Sequence, residues 1–129
     1  MPPLSILALA GLAVFLACAI PAGRSKITRW QVPALLAAGF FAYSLWPIVT
    51  LGPLGFWPEH VSDPWSVQIW FDLLCAIGIG WALLAPRARA AGMVVWPWLA
   101  LTLALGSIGL LAMLARVLYC ESSASAATA

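Results

Sequence analysis

Four long runs of apolar residues dominate this chain, and together they carry only two charges. The runs are Leu4–Ile20, Val32–Leu51, Trp65–Ala85 and Met93–Leu118; the charges are Asp72 in the third and Arg116 near the end of the fourth. A helix needs about 20 mainly apolar residues to cross a bilayer. Pro21-Ala22-Gly23 follows the first run, Gly52-Pro53 the second and Pro86 the third. Pro33 falls in a first turn, where its missing N–H costs nothing. Pro47 and Pro97 are expected to kink their helices. Composition agrees with this pattern. Of 129 residues, 64% are hydrophobic and 8% charged, against about a quarter charged in a soluble domain. So few charged side chains cannot cover a soluble surface. A soluble globular enzyme, a disordered chain and a nucleic-acid binder with a basic face are excluded. The formal net charge of +2 is too small to point to acidic partners. The expected fold is all-α: a four-transmembrane-helix bundle forming one integral membrane domain over residues 1–120, with a disordered Ser/Ala-rich tail over 121–129.

The basic residues are sorted between the loops. Arg24, Lys26 and Arg29 separate the first two runs, and Arg87 and Arg89 the last two. The middle loop carries Glu59, His60 and Asp63 and no Lys or Arg. The positive-inside rule then places both basic loops in the cytoplasm and both termini outside it. Arg116 falls toward the outer side, at a span end from which it can snorkel. Trp30, Trp81, Trp96 and Trp98 fall near one interface, and Trp46, Trp57, Trp65 and Trp70 near the other, as aromatic belts do. The first run lacks a basic n-region and reads as a retained helix rather than a signal peptide. Cys18, Cys75 and Cys120 form no C-x-x-C pair and read as small buried hydrophobes.

Helices in lipid approach one another through small residues. Ala10, Ala13 and Ala17 offer such an edge on the first span, Ala34, Ala38 and Ala42 on the second, Ala76 and Gly80 on the third, and Gly106 and Gly109 on the fourth. Asp72 is the most informative polar residue, because an ionised carboxylate within a span is costly unless paired or hydrated. Gln68 lies one turn earlier on the same face, which Ala76 and Gly80 continue. The expected constellation is a polar pocket in the outer half. Asp72, Tyr43 and Arg116 are its candidate catalytic residues, and Gln68, Trp65, Trp70, His60 and Glu59 its candidate binding residues. Desolvation would raise the Asp72 pKa and Arg116 would lower it, which suits acid–base work. The alternative for Asp72 is a structural pair with Arg116 that ties two helices together. His60 with Glu59 and Asp63 matches no metal-ligand spacing, so no metal is expected. A lone His excludes a bis-histidine haem within one chain, and no cofactor is expected.

Small multidrug transporters have this size and helix number but carry their essential carboxylate in the first helix, which is uncharged here. The run Phe71-Asp72-Leu73-Leu74, Trp81, the basic turn Pro86-Arg87-Ala88-Arg89-Ala90-Ala91-Gly92, Trp96-Pro97-Trp98-Leu99, Leu105-Gly106-Ser107-Ile108-Gly109 and Arg116 together carry a family resemblance. They resemble small bacterial inner-membrane proteins grouped as a domain of unknown function. More distantly they resemble the neoxanthin-synthase-like membrane proteins of carotenoid metabolism. The resemblance covers Trp65–Leu118. It implies a multi-pass protein of the bacterial inner membrane, carries over Asp72 and Arg116, and suggests isoprenoid or carotenoid handling. The sequence thus leads to an accessory or lipid-binding membrane protein. A membrane enzyme acting on an isoprenoid and a small proton-coupled transporter are the alternatives. Expected partners are membrane lipid, an apolar ligand of isoprenoid type, and a second copy or larger membrane complex, with no nucleic acid.

Overall fold

The computed structural model describes residues 3–24 and 29–128, with side chains for residues 4–20 and 29–128. Lys26, the side chain of Arg24 and Ala129 lie outside the described residues. Among the described residues six helices follow one another: α1 (Pro3–Arg24), α2 (Gln31–Leu51), α3 (Phe56–His60), α4 (Pro64–Ala90), α5 (Trp96–Leu105) and α6 (Ser107–Ala127). The described residues contain no strand. Among the described residues three helices, α2, α4 and α6, are long and apolar enough to cross a membrane, and Leu4–Ile20 and α5 are shorter apolar stretches. Large side chains are widely exposed, among them Leu35, Val49, Leu83 and Leu103. Such a surface suits hydrocarbon rather than water.

The fourth apolar run departs from expectation. Met93–Leu118 is not one helix, because the chain reverses at Gly106. There φ is +60° and ψ −131°, a conformation open to glycine and closed to most L-residues. α6 then folds back along α5. A Cβ at Gly109 would lie 2.6 Å from the Cα and N of Thr102, so the two backbones touch where only glycine fits. α6 therefore runs in the same direction as the second half of α4. Gly106 lies opposite Ile77 and Gly80 opposite Leu110, and Arg87 meets Glu121. The core forms along this seam, from Leu84, Ala85, Ala88, Val95, Met113 and Val117.

Other boundaries also move. α4 passes through Pro86 and ends at Ala90. Pro97 sits in the first turn of α5, where it starts a helix rather than bending one. α6 stays helical through Ala127, where a disordered tail is expected. Its last turns are held by Glu121 on Arg87 and by Ser125 Oγ donating to the Glu121 carbonyl at 3.0 Å. α2 packs on α6 through Pro33 and Ala37, whereas Ala38 and Ala42 of the expected alanine strip are exposed. α1 stands off from the other helices across an open groove.

Candidate functional site

The α3–α4 corner is built by local sequence. Asp63 caps α4: its Oδ1 accepts from the Trp65 N–H at 2.8 Å and the Ser66 N–H at 3.0 Å. Its Oδ2 accepts from Ser66 Oγ at 3.0 Å and Ser62 Oγ at 3.2 Å. These bonds, that of the Ser66 N–H foremost, hold the Asp63 carboxyl below its ordinary value. The turn that follows places Trp70 beneath α3. His60 stands edge-on to Trp70 at 5.0 Å between ring centroids, Phe56 stacks on it at 6.2 Å, and Trp57 meets it edge-on at 6.2 Å. His60 Nδ1 also lies 2.7 Å from the Phe56 carbonyl.

The residues expected to form one pocket are dispersed. Asp72 and Gln68 share the exposed side of α4, and Asp72 makes no hydrogen bond or ion pair among the described residues. Arg116 is at the other end of the molecule, because the reversal at Gly106 carries it away. It lies six residues past Leu110, while Asp72 lies eight residues before Gly80, the position facing Leu110. At 1.5 Å per residue the two are roughly 21 Å apart along the helix axes, so an Asp72–Arg116 pair is not formed. Tyr43 is exposed on α2, edge-on to Trp46 at 6.0 Å. Trp65 is 76% exposed and Glu59 is exposed. Trp70 and His60 do come together, as an aromatic corner rather than around Asp72. No group of three or more potential metal ligands occurs among the described residues.

Two features escape the sequence reading. One is an apolar groove of about 940 Å³ between α1 and α2, reaching Leu111 of α6. Gly11 and Gly39 face it from its two walls, and Cys18 and Tyr43 are its polar members. A Cβ at either glycine would meet nothing within 4 Å. The other is a cluster at the basic end: the Arg116 guanidinium lies over the Tyr119 ring, 5.5 Å from its centroid, and Tyr119 stands edge-on to Trp30 at 5.6 Å. Tyr119 and Arg116 are one turn apart on α6, but Trp30 joins them only because α6 folds back beside α2. A second, smaller groove of about 370 Å³ between α4 and α6 also touches Leu111 and ends at Arg87.

No protein-family model, curated protein or solved structure matches the chain.

Proposed function

We propose that the chain is a small multi-pass protein of the bacterial inner membrane, of accessory or lipid-binding type, which holds an apolar chain in the groove between α1 and α2. The groove carries this reading. Its volume of about 940 Å³ falls within the range of small-molecule sites. Its walls are apolar, with Cys18 and Tyr43 as polar points, and it opens on a surface that suits hydrocarbon. An isoprenoid chain, the ligand class that the sequence resemblance suggests, is proposed as the occupant.

In this reading the basic turns face the cytoplasm and the α3–α4 corner faces outward. α1, α2 and α4 cross the bilayer. α5 has 10 residues, about 15 Å of helix, or half of a hydrocarbon core roughly 30 Å thick. α6 starts opposite Ile77 of α4 and ends in Glu-Ser-Ser-Ala-Ser-Ala-Ala. The α5–α6 hairpin therefore enters from the cytoplasmic side and returns to it. Irregular backbone at that depth is tolerated where protein covers it, and the hairpin tip is packed by Thr102 against Gly109.

The test is the bound molecule. Protein purified in mild detergent is extracted and its small molecules identified by mass spectrometry, beside Gly11→Leu and Gly39→Leu. A stoichiometric apolar molecule is expected in the wild type and is expected to be lost from both variants at unchanged melting temperature. Bulk phospholipid alone, in equal amounts in all three, would sink the reading.

A further inference from the structure

The basic end of the molecule has an excess of positive charge. Among the described residues it carries Arg29, Arg87, Arg89 and Arg116 against one acid, Glu121, and Arg87 holds that acid in a bidentate pair. The other acids, Glu59, Asp63 and Asp72, lie toward the opposite end. Arg29, Arg89 and Arg116 are exposed. Arg116 has no acidic partner among the described residues; its guanidinium rests on Tyr119, which Trp30 supports from the start of α2. Arg29 adjoins Trp30 in the chain.

We infer that Arg116, Tyr119, Trp30 and Arg29 form a binding site for the headgroup of an anionic phospholipid in the leaflet on the basic side. Each part suits that ligand. Trp and Tyr are the side chains that settle at headgroup level. Arg116 lies one turn nearer the bilayer centre than Tyr119, so its stem runs along apolar surface while its guanidinium reaches the interface. A guanidinium placed over an aromatic ring, as Arg116 is over Tyr119, can still turn N–H groups to fork onto phosphate oxygens. The leaflet supplies the missing negative charge: anionic lipid attracts each nearby basic residue by roughly 1 kcal/mol. The site depends on the membrane reading and on the return of α6 to the basic side, and it does not use the α1–α2 groove.

The experiment is native mass spectrometry of the full chain in mild detergent, titrated with phosphatidylglycerol and, separately, phosphatidylcholine. The wild type is expected to prefer phosphatidylglycerol, the more so at low salt. Arg116→Gln and Arg29→Gln should each weaken phosphatidylglycerol binding about fivefold, the factor that 1 kcal/mol represents, and leave phosphatidylcholine binding unchanged. Arg116→Lys, which keeps the charge but loses the planar fork, should fall between. Unchanged melting temperature and phosphatidylcholine binding identify a folded variant. Equal binding of the two lipids by the wild type, or an Arg116→Gln protein indistinguishable from it, would overturn the proposal. So would displacement of phosphatidylglycerol by equimolar inorganic phosphate, which would mark a free-anion site. Gly39→Leu separates the two sites: it should empty the groove and preserve the headgroup preference.

Discussion

Arg87 of α4 and Glu121 of α6 grip each other through two parallel hydrogen bonds, Nε to Oε1 and Nη2 to Oε2, both 2.6 Å long. The residues are 34 positions apart in sequence, and their contact fixes the direction of α6. The pair is about one third exposed on each side, so water and salt screen it. Bidentate geometry raises its worth above that of a loose surface pair. Arg87→Ala and Glu121→Ala are each expected to lower stability by about 1 kcal/mol. A double-mutant cycle on thermal unfolding in detergent should show the two losses failing to add. Additive losses would mean that the pair does not hold α6.

The reversal at Gly106 and the contact at Gly109 make different demands on their glycines. Gly106→Ala meets no wall, since the nearest atom to its Cβ is Ile77 Cδ1 at 3.8 Å. Its cost is backbone strain, on the order of 1–3 kcal/mol. Gly109→Ala drives a methyl into the backbone of Thr102, which cannot turn aside as a side chain can. Its cost should exceed about 2 kcal/mol, toward the upper range for overpacking, and it should open the hairpin. Thermal unfolding would give the order of the two, and crosslinking of cysteines placed at Thr102 and Ile108 would report the opening. A Gly109→Ala protein as stable as the wild type would contradict the close crossing of α5 and α6.

The helices were legible in the sequence because length and apolarity alone decide them. The fold of Met93–Leu118 was not, because hydropathy averaged over such a run is the same for one crossing and for a hairpin. The reversal uses a single positive-φ glycine, Gly106, within an apolar run, and no polar loop marks it. A clue was nevertheless present. One long crossing places Arg116 at the end opposite the basic turns, whereas the hairpin returns it to the end that holds Arg87. For the candidate site, spacing correctly put Gln68 and Asp72 on one face of α4. Whether that face is covered depends on helices that pack elsewhere, and periodicity carries no information on them. The Trp30–Tyr119–Arg116 cluster was illegible for the same reason, since it exists only after the reversal.

The reversal also predicts a sidedness. In a background with Cys18, Cys75 and Cys120 replaced by alanine, single cysteines at Ser62, Arg89 and Ser123 report three positions. Ser62 precedes α4, and Arg89 ends it. Ser123 lies on α6, two residues past the partner of Arg87. An impermeant thiol reagent added to intact cells is expected to label the cysteine at 62 and to spare those at 89 and 123 until the membrane is permeabilised. Labelling at 123 from outside, with 89 protected, would restore a fourth full crossing and remove the proposed headgroup site.

Asp63 gives a prediction in pH. Its carboxylate accepts the Ser66 and Trp65 N–H groups and the hydroxyls of Ser66 and Ser62. The folded pKa is therefore below the ordinary value of 3.8. A lowered folded pKa means that the cap stabilises fully above the unfolded value and loses this stabilisation as pH falls through the folded one. The start of α4 should thus hold at neutral pH and fray only in acid, below the ordinary carboxylate value of 3.8. Amide exchange at Trp65 and Ser66, corrected for its intrinsic pH dependence, should accelerate there in the wild type. Asp63→Asn retains a capping oxygen without a titrating charge, so its exchange at the same amides should not change with pH. If the wild type and Asp63→Asn frayed alike in acid, the loss would belong to another group and not to the Asp63 cap.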